Sequence, residues 1–164
     1  MASKIYAVLI SCFIATLSYA ESVEFEPRAY LKMNEGIAEN NYVKTRNGIN
    51  HCLGVMYLAA EAGFVEDPQN REGRFYKAIR GVIGLGVMLE IKNSGFEEDG
   101  KSDKEIQANS METIAKVRQA GIDTAIAYDD QLEDVVVDGK VDFYHPFFGE
   151  LEHCIKEGNI ANIL

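Results

Sequence analysis

RFYKAIRGVIGLGVMLEIK, residues 74–92, is the stretch whose reading decides the fold. Phe75, Ala78, Ile79, Val82, Leu85 and Leu89 recur at spacings of mostly three and four, which is helical rather than strand periodicity. Ile83, Val87, Met88 and Ile91 add a second apolar side, so the helix is covered nearly all round, as a core helix is. The run predicts a single compact all-α domain of four to five helices packed around a central apolar helix at about 69–92.

Working outward, residues 45–62 predict a helix with a stripe of Ile49, Leu53, Met56 and Ala60, flanked by Cys52, Val55 and Ala59 and stopped at Gly63. Asp67-Pro68 reads as an N-cap with proline at the first helical position, opening the central helix, which ends near Asn93-Ser94-Gly95. Ser102-x-x-Glu105 is a capping-box pattern ahead of Ile106, Met111, Ile114, Ala115 and Val117, and Gly121 is expected to close that helix. A further helix is expected from Asp123 with Ala125, Ile126, Leu132 and Val136, and a last one from Pro146 with Phe147, Phe148, Leu151, Cys154 and Ile155. For Val135 to Val141, a helix end with a short loop is favoured over the hairpin that Asp138-Gly139 between β-branched residues also allows. Before the first helix, Val23 and Phe25 alternate with polar neighbours and suggest a short extended arm ending at Pro27. Residues 28–33 read as a helical turn or two, and 34–41 as a loop or frayed helix.

The N-terminus reads as a secretory signal. Lys4 precedes an apolar run at 5–15, and Ser18 and Ala20 are the small residues expected before a cleavage site at Ala20. The run is shorter than the roughly 20 residues a membrane span needs. Leu9-Ile10-Ser11-Cys12 also has the form of a lipoprotein box, but the apolar run continues past Cys12. The expected product is an exported, periplasmic or secreted single domain over 21–164 that does not span a membrane.

Export changes the cysteine count. Three cysteines become two, Cys52 and Cys154, in a compartment where disulfides persist, so a Cys52–Cys154 bridge is expected. The dipeptides His51-Cys52 and His153-Cys154 could also supply a tetrahedral zinc site. Neighbouring helical residues point about 100° apart, which makes each dipeptide a poor chelate, so no metal is expected.

Of the remaining signals, the charge is the most useful. The net charge is −10, and because Lys4 is the one charge in residues 1–20, cleavage takes it to −11. Such a surface disfavours nucleic acid and anionic lipid and suits a basic protein partner. The acidic stretch fails as a calcium loop: with Gly139 at position six, Val136 and His145 fall where positions three and twelve need acidic ligands. Gly81, Gly84 and Gly86 read as sites of close helix packing rather than a phosphate loop, since their spacing reverses the dinucleotide motif. No nucleophile elbow or zinc-protease motif is present, and the carboxylate pairs Asp129/Glu133 and Asp130/Asp134 are what any acidic helix supplies. The aromatic run 143–148 reads first as a plug for the core, and any part of it left exposed offers an anchor for a partner.

These observations favour a non-enzymatic exported binding protein, of the inhibitor or immunity type, acting on a basic hydrolase or toxin. HCLGVMYLAA, residues 51–60, resembles small helical immunity proteins over those ten residues. Asp129, Asp130, Glu133, Asp134, Tyr144 and Phe147 are the candidate partner-binding residues, with no cofactor. The second expectation is a carrier of a small apolar ligand held between helices beside the glycine cluster. An enzyme built on an acidic pair is the third. The oligomeric state is left open, a dimer included.

Overall fold

The structure is a computed structural model that describes residues 25–96, 100–129, 131, 135–137 and 140–162. It contains five helices among the described residues: α1 (Leu31–Ala38), α2 (Tyr42–Glu61), α3 (Arg74–Ser94), α4 (Asp103–Asp129) and α5 (Pro146–Ala161). The fold is all-α, as expected. None of the helices described is long and apolar enough to cross a membrane. The proposed signal at 1–20, with the lipoprotein box at Cys12, lies outside the described residues.

Helix α2 packs against each of the other four, and it is the most completely enclosed. Asn41 caps its start, its side chain accepting a hydrogen bond from the Lys44 amide at 3.0 Å. The apolar run forms α3 as predicted, with Phe75, Ala78, Val82 and Ile83 in the core and Gly95 in the left-handed conformation that ends the helix. Its start differs. Residues 67–73 form successive turns, Asp67 has a positive φ of 47°, and Gly73 is the N-cap. Pro68 therefore belongs to a turn, not to the first turn of the helix.

Helix α4 opens on the predicted capping box: Glu105 Oε2 accepts from the Ser102 amide at 2.9 Å, and Ser102 Oγ accepts from the Glu105 amide at 3.4 Å. It then runs without a break through Gly121, where two helices were expected. Gly121 is there for contact rather than termination, since a Cβ would collide with Leu53 and Tyr57 of α2. Gly54 does the same from the other side against Thr124, so α2 and α4 approach through small residues.

The 135–141 segment is a correction. Val136–Val137 (β1) pairs antiparallel with Lys140–Val141 (β2), matching Val136 to Val141 and Val137 to Lys140. The hairpin reading of Asp138-Gly139 prevails because a two-residue connection returns the chain at once toward α5, with the Asp142 amide donating to the Val135 carbonyl at 2.8 Å. Asp138 and Gly139 themselves lie outside the described residues. Phe25 is not in a strand, and Val23 is outside the described residues. Residues 31–38 form the regular helix α1.

Helix α5 begins where Pro146 predicted, with His145 Nδ1 accepting from the Phe147 amide at 3.2 Å. Cys52 of α2 and Cys154 of α5 form a disulfide across a sequence separation of 102, with Cα atoms 5.2 Å apart.

The glycine cluster separates into different roles. A Cβ at Gly81 would strike the backbone of Gly158 in α5, and one at Gly86 would strike Val117, while Gly84 faces open space. We therefore expect Gly81→Ala to destabilise the protein by several kcal/mol, on the order of other overpacked core sites. Gly84→Ala should be neutral or stabilising by up to about 1 kcal/mol, the usual helix-propensity gain. The denaturant midpoint should fall for Gly81→Ala and hold or rise for Gly84→Ala. Equal shifts would show that the α3–α5 contact is not set by backbone approach.

Candidate functional site

The polar core is built where α2, α4 and α5 meet. Helix α2 brings in His51, α4 brings in Tyr128 from its last turn, and α5 brings in Glu150; all three are buried. His51 Nε2 lies 3.0 Å from Glu150 Oε2, and His51 Nδ1 lies 2.8 Å from the Tyr128 hydroxyl. With Glu150 as a carboxylate, Nε2–H donates to it, which leaves Nδ1 to accept the Tyr128 O–H. Glu150 also accepts from the backbone amides of Arg28 and Tyr30, so the same carboxylate holds the segment before α1 in place. Phe25 closes the cluster from above, 5.9 Å from the His51 ring and edge-on to Tyr128 at 5.4 Å.

Burial by itself pushes the Glu150 carboxyl up, but the hydrogen bond from His51 and the amides of Arg28 and Tyr30 outweigh it and hold the group below its ordinary value. The Tyr128 hydroxyl is pushed up to about 12, first by burial and then by the charges of Glu26 and Glu150. A phenol this reluctant to ionise is a poor nucleophile, and the closed packing around it leaves no room for a substrate at the hydroxyl. The cluster is a structural lock in this geometry.

The zinc alternative is met by different partners. The cysteines bond to each other, and both ring nitrogens of His51 are engaged. His153 lies on the surface, stacked on Tyr30 with ring centroids 4.3 Å apart. The two histidines therefore do not converge with the sulfurs on one point.

The candidate partner-binding residues separate. Tyr144 is 98% exposed and Phe143 beside it is 72% exposed. The turn that carries them is held by the Asp142 side chain accepting from the Tyr144 amide at 2.9 Å and by the His145 amide donating to the Asp142 carbonyl at 3.0 Å. Asp129 is exposed at the end of α4. Asp130, Glu133 and Asp134 lie outside the described residues. Phe147 is a correction: it is fully buried, packed edge-on to Phe64 and Phe148, because position 147 shares the inner face of α5 with Leu151 and Cys154. Phe147 cannot meet a partner.

Sequence reasoning missed Glu150 and Tyr128. Their partners lie 99 and 77 residues away in the chain, at His51. One signal was available: Glu150 falls at core spacing on α5, between Phe147 and Cys154, where a carboxylate needs dedicated donors.

A groove of about 390 Å³ runs beside Gly86, between Ile49, Leu89 and Val117, with Arg46, Glu90 and Lys116 also lining it. Comparison with protein-family models, with curated proteins and with solved structures found no match for this chain.

Two outcomes follow from the lock. Tyr128 ionises near 10.0 when exposed and near 12 in the fold, so the folded state binds more protons between those values. Stability should therefore fall as pH rises through that window, and Tyr128→Phe should flatten the fall. On the acid side Glu150 is depressed, so its contribution is present above its ordinary value of 4.5 and lost as pH falls below it. Denaturant midpoints across pH check both signs.

Glu150→Gln presents an amide to at least one of the three groups that now donate to the carboxylate. It should cost roughly 1–3 kcal/mol. It should also loosen residues 25–30, read as faster proteolytic nicking there than in the parent. Unchanged nicking would mean that Glu150 does not hold the segment.

Proposed function

We propose that this chain is an exported, non-enzymatic binding protein of the inhibitor or immunity type, which captures a basic hydrolase or toxin through Tyr144 with Asp142 and Asp129. The observation that carries the reading is a tyrosine almost wholly in solvent on a turn fixed by its own hydrogen bonds. An aromatic anchor held in place before binding loses little entropy on docking, and aromatics dominate the energy of protein interfaces. Phe143, tilted against Phe148 at 5.1 Å, gives the anchor an apolar neighbour. Asp142 at the turn and Asp129 at the end of α4 supply negative charge, within a chain of net charge −10. That charge favours a basic partner and speeds encounter at low salt.

Export is supported by the N-terminal pattern and by a disulfide of the kind that persists outside the cytosol. The reading of an apolar-ligand carrier has the groove beside Gly86 in its favour. Its charged lining, with Arg46, Glu90 and Lys116, suits an apolar ligand less well than a partner surface suits the aromatic turn.

The test is affinity capture from an envelope extract at low and high salt, with Tyr144→Ala as the paired bait. A basic protein held at low salt and shed at high salt is the expected result. Tyr144→Ala should weaken that capture by at least about tenfold while its thermal melt matches the parent. No protein captured at either salt, or equal capture by the variant, would sink the proposal.

A further inference from the structure

Helix α4 is built with its polarity partly inverted. Apart from Tyr128, the residues it buries against α2 and α3 are small or polar: Thr113, Val117, Gly121, Thr124 and Ala125. Larger apolar residues face out, with Met111 62% exposed, Ile122 42% and Ile126 66%. Ile114 packs against the core, but a helix that also keeps two isoleucines and a methionine in water is ordinarily covered by something.

The order of residues along this outer face indicates what covers it. Lys104, Met111, Ala115, Arg118, Ile122 and Asp129 form one exposed row, at successive spacings of seven, four, three, four and seven. That series reads the same from either end. The row is about 38 Å long at helical rise. It starts with a cation and finishes with an anion, and neither Lys104 nor Asp129 has an ion-pair partner among the described residues.

We infer that the outer face of α4 is a homodimer interface, on which a second copy of this chain packs its own α4 antiparallel across a two-fold axis. The axis passes midway between Ala115 and Arg118. Lys104 then faces Asp129 of the second copy at both ends, and Met111 faces Ile122. Ile126 covers the exposed Ala108 on the same flank. A two-fold contact requires one surface to be complementary to itself, and the palindromic row with opposite end charges meets that condition. A basic or acidic foreign partner would instead leave one end of the row facing like charge. Arg118 and Ala115, both exposed, flank the axis. The two Arg118 charges oppose association there, which makes the dimer weak and concentration-dependent. The aromatic turn at Phe143-Tyr144 is not on α4 and Asp129 alone is common to the two surfaces, so the inference does not rest on the proposed function.

Sedimentation velocity over a range of concentrations tests it, on protein expressed with its own N-terminal sequence. The parent should approach twice the monomer mass as concentration rises. Ile126→Glu should remain monomeric with an unchanged helical spectrum, since the side chain lies mostly in solvent. Lys104→Asp and Asp129→Lys should each weaken association by about tenfold, and the double swap should restore it. A parent that is monomeric throughout, or a dimer indifferent to Ile126→Glu, would overturn the inference. So would a double swap that stays as weak as the single variants.

Discussion

The seam between α2 and α5 is the constraint on which the rest of the structure depends. His51 and Cys52 are neighbours on α2, while Glu150 and Cys154 lie one turn apart on α5. A covalent bond and a buried hydrogen bond therefore cross the same seam within one turn. The disulfide alone, closing a separation of 102 residues, contributes up to about 4.7 kcal/mol in the chain-entropy account. The polar half acts further out. Glu150 gathers the His51 ring with the amides of Arg28 and Tyr30, so the seam also fixes the approach to α1 and seats Phe25 over the core.

Around that seam the helices pack by two different means. Between α3 and α5, and between α2 and α4, backbones approach through glycines, where shape rather than hydrophobic area sets the distance. Elsewhere the core is filled by ordinary apolar side chains such as Ile49, Leu53, Met56, Val82 and Phe147. Close approach leaves α4 with little need for large residues on its inner side. Ile122, Ile126 and Met111 are thereby left on the outside, where they are available for association.

The exposed aromatics belong to the same logic. The hairpin returns the chain sharply, Phe147 turns inward to plug the core, and Phe143 and Tyr144 are left outside on a turn braced by Asp142. A segment that reads in sequence as one aromatic cluster is thus divided between stability and display.

Periodicity determined the class of fold, because the spacing of apolar residues depends only on local helical geometry. The capping box at Ser102, the start at Pro146 and the existence of α3 were legible for that reason. Pairing of Cys52 with Cys154 was legible because two cysteines allow one connectivity. Four features were not. Gly121 reads locally as a terminator, and only the nearness of Leu53 and Tyr57 makes it a contact site inside a continuous helix. Asp138-Gly139 carries both turn and cap signals, and the competition was decided by pairing with the return strand. The Glu150–His51–Tyr128 lock joins positions up to 99 residues apart, and no local pattern encodes a hydrogen bond across that distance. The inward turn of Phe147 was settled in the same way, by the face of α5 that the disulfide obliges to face α2.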